Sequence, residues 1–394
     1  MARRTFSFMP SLARWSRLQR ALLGLGQTRP KVARAPRKPT PTPSSPKPLG
    51  ERAPARKSAP SRLGKPRRKT AEQMALGAGE SESLAMYAKP QGANVHVRLS
   101  YTLYWPQHGD TPAKATSDGA CPLPVMMMLH GCQQTVLDLA TGTRMNRLAD
   151  THGFVVVYPQ QARTRQSHRC WRWFQPDDSG GALEADALAI LLQEILTRHA
   201  ALDRSRVYVA GLSAGAGMAA LLALRHPALI AALAMHSGPV VGDAQNVRGG
   251  LRTMQQGSET DPIELVRGYV GQADALDLPT LILHGTRDAV VAARNAEQLV
   301  RQFLFINGLN PALPPSTTLL AHGSAQAYRR HDYMQGRQTQ VRWCELDRVE
   351  HAWSGGDERV KFHTRNGPDA SLLIWRFVSA HRRVIPTPPA AVTP

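Results

Sequence analysis

The chain has 394 residues, 42% of them hydrophobic, which is enough to bury a large core, and a formal net charge of +20. The charge is lopsided: residues 1–70 hold 19 Lys or Arg against one acidic residue, whereas the rest holds 30 basic and 28 acidic side chains and is nearly neutral. A near-neutral folded part argues against a nucleic-acid-binding domain, no window approaches a membrane span, and four cysteines without a C-x-x-C step argue against a zinc site.

In chain order, residues 1–75 read as a basic, Pro-rich, disordered tail. The run FSFMPSLARWSRLQRALLGLG interleaves apolar residues with Arg14, Arg17 and Arg20, the pattern of a membrane-surface helix and a poor signal peptide. From Pro30 to Pro66 there is almost no large apolar side chain, so burial does not offset the entropy of ordering. The tail is read as a solvated linker or as an electrostatic anchor to an anionic surface.

Residues 76–385 read as one α/β domain, and 386–394 as a flexible end. VHVRLSYTLYWP suits an early antiparallel strand, and PVMMMLHGC is a continuous apolar run, as in a strand buried on both faces. TRMNRLADTHG follows as a helix ending at Gly153, then FVVVYPQ as a second buried strand. After a Trp-rich loop, LEADALAILLQEILTRH is apolar at helical spacing, and RVYVAG is a third buried strand that runs into a helix after Ser213. ALIAALAMHSG, LPTLILHGTRD and QVRWCELDRVEHAW supply further strands, and PDASLLIWRFVSAHR a closing amphipathic helix. Strands alternating with helices predict a mostly parallel central sheet covered on both faces.

In such sheets ligands gather at the carboxyl ends of the strands, so the residues just after each strand matter most. Gly211-Leu212-Ser213-Ala214-Gly215 follows one strand, His284-Gly285-Thr286-Arg287-Asp288 another, and His351 a third. Ser…Asp…His is the chain order of α/β-hydrolase triads. Ser213 is therefore the candidate nucleophile, His351 the base and Asp288 the acid that orients it. Ser213 as a helix N-cap and Asp288 as an ordinary cap are the structural alternatives, with Asp243 and Asp277 as rival acids. The backbone N–H groups of Ala214 and Cys132 are the candidate oxyanion donors. Trp353 beside His351, Trp171 and Gln133 are candidates for substrate contact, set against core packing for the tryptophans.

The motifs LHGCQQT, RMNRLADTHGFVVVYPQQ, CWRWF, VYVAGLSAGAGMAA, HGTRDAVV, HAWSGG and GPDASLLIWRF together resemble the poly(3-hydroxybutyrate) depolymerase family of esterases. The resemblance runs from about Tyr101 to Phe377. It implies an α/β-hydrolase fold, ester hydrolysis through Ser213, Asp288 and His351, and no cofactor or metal. It also implies an oxyanion donor at Cys132 and a Cys132–Cys170 disulfide. The chain departs from the family pattern around His351, where Glu350 and Ser354 stand in place of glycine and proline. Secreted, polymer-degrading members often carry a polymer-binding domain after the catalytic one, whereas here the sequence ends shortly after the last helix. The expectation is thus a serine esterase for short-chain hydroxyalkanoate esters, with an acetyl or feruloyl carbohydrate esterase as the alternative. From another class comes a surface- or nucleic-acid-binding protein whose hydrolase domain is inert. The resemblance implies an extracellular location, and the arginine-broken N-terminus leaves cytoplasmic retention open.

Overall fold

A computed structural model describes residues 76–108, 111–112, 121–175, 180–271 and 275–385; the expectations for 1–75 and 386–394 lie outside the described residues. Among the described residues ten strands build one sheet: β1 (Glu80–Ala88), β2 (Val97–Trp105), β3 (Leu123–Leu129), β4 (Val155–Gln160), β5 (Leu202–Leu212), β6 (Ala232–His236), β7 (Thr280–Gly285), β8 (Ser316–Leu320), β9 (Tyr328–Gln335) and β10 (Gln338–Leu346). Their spatial order is β1-β2-β4-β3-β5-β6-β7-β10-β9-β8. The central strands from β4 to β10 run parallel, and an antiparallel pair closes each side.

The apolar run in β3 is buried on both faces, and the pleat divides it between two cores. Val125, Met127 and Leu129 join Val155, Val157, Val207 and Val209 beneath α3 (Gly181–Arg198), α4 (Ala214–Arg225) and α6 (Arg294–Ile306). Met126 and Met128 join Tyr158, Tyr208 and Ala210 beneath α1 (Val136–Thr143), α2 (Met145–His152) and α7 (Ala370–Val378). A further helix, α5 (Val247–Gln256), packs on α6.

The structure departs from the sequence expectations at three places. The helix expected before Gly153 is α2, but another helix, α1, precedes it without a counterpart in the sequence reading, and Arg144 in a left-handed conformation (φ 55°, ψ 25°) separates the two. Gly153 does end α2, at φ 68°. Strand β1 and the β8–β9 hairpin have no counterpart in the apolar pattern. Most side chains of β1 and β8 are exposed, since each is an edge strand that owes its place to backbone pairing rather than to burial.

Candidate active site

Strand β5 ends at Leu212 and α4 begins at Ala214, so the chain turns on the single residue Ser213. Its backbone sits at φ 57°, ψ −119°, a conformation that costs a non-glycine residue about 1–3 kcal/mol. Two glycines make the turn possible. A Cβ on Gly211 would collide with the Gly215 carbonyl, and a Cβ on Gly215 with the Leu129 carbonyl. The Ser213 N–H donates to His236 O at 2.9 Å, which ties the elbow to β6.

The Ser213 side chain does not cap α4. Its Oγ lies 2.9 Å from His351 Nε2, and His351 Nδ1 lies 2.8 Å from Asp288 Oδ2. Asp288 is fixed from its other oxygen, where Oδ1 accepts the N–H groups of Val290 (2.9 Å) and Val291 (2.8 Å). The Asp288 carboxylate is completely buried and the His351 ring is 7% exposed. Burial alone pushes the Asp288 carboxyl up; the adjoining His351, its hydrogen bond and His284 reverse this and hold it down to about 2. An ionised Asp288 makes His351 Nδ1 the protonated nitrogen, so Nε2 is left to accept from the serine hydroxyl.

The rival residues are engaged elsewhere. Asp243 accepts from the hydroxyls of Thr253 and Ser258, and Asp277 accepts from Gln340 at the other end of the sheet. His130 is buried, donates from Nδ1 to Gly131 O (2.8 Å) and accepts the Gln161 N–H at Nε2 (3.1 Å). Burial lowers it to about 4. His284 donates from Nε2 to Val291 O at 2.9 Å, behind Asp288.

The loop after β3 packs against the elbow, with Gly131 facing the Ser213 Cβ. Its shape comes from a short internal network. Gln134 Oε1 accepts the Gly131 N–H at 2.8 Å, and the Gln133 N–H donates to His168 O at 2.6 Å. Cys132 and Cys170 form a disulfide with Cα atoms 4.3 Å apart, which joins this loop to the Trp-rich loop. That second loop rests on a buried carboxylate: Glu184 accepts from Gln161 Nε2 (2.7 Å) and the Arg172 N–H (2.9 Å). Among the described residues, neither the Cys132 nor the Ala214 backbone N–H donates to a protein acceptor. Ala214 directly follows Ser213 in the chain, and Cys132 lines the same cleft. Cys121 is an exposed free thiol and Cys344 a buried one.

A shallow, open cleft lies over Ser213, lined by Gly131, Cys132, Gln134, Leu212, Ser213, His351 and Phe362. The two tryptophans expected at the substrate do not line it, and this corrects the sequence expectation. Trp353 is fully buried, stacked on His236 with centroids 5.2 Å apart, and donates to Ser371 Oγ at 3.2 Å. Trp171 is equally buried and donates to His130 O at 3.1 Å. Their ring area goes into fixing the loops that carry His351 and His130. Gln133 is half-buried, with Oε1 accepting from Lys361 Nζ at 2.8 Å beside the cleft. Phe362 had no signal in the sequence, because it stands in an irregular loop outside any periodic segment. Gln134 lies in the LHGCQQT motif, where a neutral amide carries no chemical signal of its own. Glu350 is exposed and lines a separate surface groove, while Ser354 is buried and donates its N–H to His236 Nε2 at 3.2 Å. Among the described residues no group of three His, Cys, Asp or Glu side chains is placed to hold a metal ion, and no helix is long and apolar enough to cross a membrane.

Comparison with known proteins adds to this geometry. The sequence model described as esterase PHB depolymerase matches residues 99–316, a range that takes in Ser213 and Asp288 and ends before His351. Poly(3-hydroxyalkanoate) depolymerase C of Paucimonas lemoignei is 33% identical over 201 residues, covering 50% of this chain and 48% of that protein. Feruloyl esterase B of Thermothelomyces thermophilus is 30% identical over 200 residues, 47% of this chain and 66% of the relative. Probable acetylxylan esterase A of Aspergillus fumigatus is 27% identical over 207 residues, 49% and 54%. The chain thus spans about half to two thirds of the length of these relatives. Among solved structures, an acetyl xylan esterase from Aspergillus awamori superposes with a TM-score of 0.59 at 16% identity, over 76% of this chain and 99% of that one. At that identity the likeness bears on the fold, which is that of the α/β-hydrolases.

Proposed function

The chain belongs to the esterase PHB depolymerase family, and from that premise we propose that it is a serine esterase with Ser213, His351 and Asp288 as its triad. The observation that carries this reading is the continuous hydrogen-bonded line from Ser213 Oγ through His351 to a buried, ionised Asp288, starting from a strained elbow. In the reaction, Ser213 Oγ attacks the ester carbonyl carbon as its proton passes to His351 Nε2. Asp288 stabilises the imidazolium, and the N–H groups of Ala214 and Cys132 receive the oxyanion. The C–O bond to the leaving alcohol breaks as His351 returns the proton to it, leaving an acyl-serine. Water, deprotonated by the same histidine, then releases the acid and restores Ser213.

The preferred substrates are esters of short hydroxyalkanoates, and the similarity to the Paucimonas lemoignei depolymerase supports the hydroxyalkanoate part of that reading. The second reading, an acetyl or feruloyl carbohydrate esterase, draws on the relatives named for those activities. The Cys132–Cys170 disulfide favours an oxidising, extracellular setting.

The decisive experiment is Ser213→Ala. Hydrolysis of 3-hydroxybutyrate oligomers is expected to fall by roughly 10^4–10^6-fold with thermal unfolding unchanged. Turnover near that of the native protein would remove the triad from the account. Feruloyl-ester turnover alongside inert hydroxybutyrate oligomers would select the second reading.

A further inference from the structure

Phe362 occupies a backbone position that favours glycine. The His363 N–H donates to Val360 O at 3.2 Å, closing a turn whose third residue is Phe362, at φ 65°. A positive φ at that place is the habit of a type II turn, where glycine is the usual occupant. The turn is held from both sides, because Trp353 donates its N–H to Phe362 O and accepts the Thr364 N–H, each at 2.9 Å. An aromatic residue kept in a left-handed turn needs a reason that lies in its side chain.

The side chain has contacts of its own. The ring leans on the core cluster that contains Trp353 and Met128, and it lines the cleft over Ser213 together with Leu212 and Cys132. Lys361 Nζ stands 4.5 Å from the centre of the ring and donates to Gln133 Oε1 at 2.8 Å. Gln134 Nε2 reaches Lys361 O at 3.4 Å, so both glutamines that follow Cys132 tie this turn to the loop beside the nucleophile.

We propose that Phe362 is the specificity-determining wall of the cleft, and that its ring, pinned by Lys361 and Gln133, restricts the enzyme to esters of short acyl chains. This rests on the serine-esterase reading given above. The wall is apolar and packed on the core behind it, so each methylene that does not fit must displace the ring or remain in water. A single methylene in such a pocket changes kcat/KM by about 10–200-fold.

The test uses the full chain and a series of p-nitrophenyl esters: acetate, butyrate and octanoate. Phe362→Gly removes the wall at a backbone position glycine adopts freely, and is expected to raise the octanoate-to-acetate ratio of kcat/KM by about tenfold or more. Phe362→Trp enlarges the wall and is expected to move the ratio the other way. Gln133→Ala, which releases Lys361 and leaves the ring in place, is expected to shift the ratio in the same direction as Phe362→Gly by a smaller factor. Chain-length profiles that stay parallel to the native one in all three variants, with hydrolysis still dependent on Ser213, overturn the wall and leave the triad standing. Hydrolysis that survives Ser213→Ala overturns the serine-esterase reading, and this inference with it.

Discussion

Replacing Asp288 by asparagine is the most informative change at the site, because it retains shape and reverses one hydrogen bond. The carbonyl oxygen of the new amide would still accept from the Val290 and Val291 N–H groups, at the 2.9 and 2.8 Å positions that Oδ1 now holds. The amide nitrogen would then replace Oδ2, which lies 2.8 Å from His351 Nδ1. An amide N–H is a donor, so Nδ1 must become the acceptor and the ring proton must move to Nε2. Nε2 faces Ser213 Oγ at 2.9 Å, and once protonated it no longer accepts the serine proton. The expected loss is about 10^4-fold in kcat with little change in KM, or about 5 kcal/mol of transition-state stabilisation. The assay is steady-state hydrolysis of p-nitrophenyl butyrate with thermal unfolding followed alongside, and Asp243→Asn as a comparison whose kcat should stay near the native value. An Asp288→Asn enzyme within tenfold of native, with its fold intact, would refute Asp288 as the group that orients His351.

Two further expectations concern stability. The Asp288 carboxyl is held at about 2 in the fold, below its unfolded value, so the stability it adds is fully present above about pH 4 and is lost as pH falls towards 2. The shift corresponds to roughly 2–3 kcal/mol, to be read as a drop in urea midpoint over that window that Asp288→Asn lacks. Cys132 and Cys170 are 38 residues apart, and opening that loop with Cys170→Ala is expected to cost about 4 kcal/mol. It should also lower kcat, because the loop that presents the Cys132 N–H loses its covalent tie; unchanged melting and turnover would show the bond to be idle.

Much of the fold was legible because the buried parallel strands are nearly pure apolar runs, such as VMMML, that no solvent-facing element tolerates. The edge strands were not legible, since β1 and β8 are mostly exposed and are stabilised by pairing with β2 and β9. At the site, Ser213, Asp288 and His351 stood out because each closely follows a strand, where local order and chemistry coincide. Trp353 and Trp171 misled for the opposite reason. A position beside His351 or in a Trp-rich loop does not say which way a ring points, and both rings are buried.

The amino-acid order by itself determined the strand-to-helix elbow, since glycine two residues to either side of Ser213 allows the turn, and it determined which residue types follow each buried strand. Tertiary structure alone decided which partners meet. Ser213 and His351 are 138 residues apart in the chain, and Gln133 and Lys361 are 228 apart. Such contacts depend on the register of neighbouring strands and on loops without periodicity. A one-residue change in either would move a side chain to another face, and no local pattern records it.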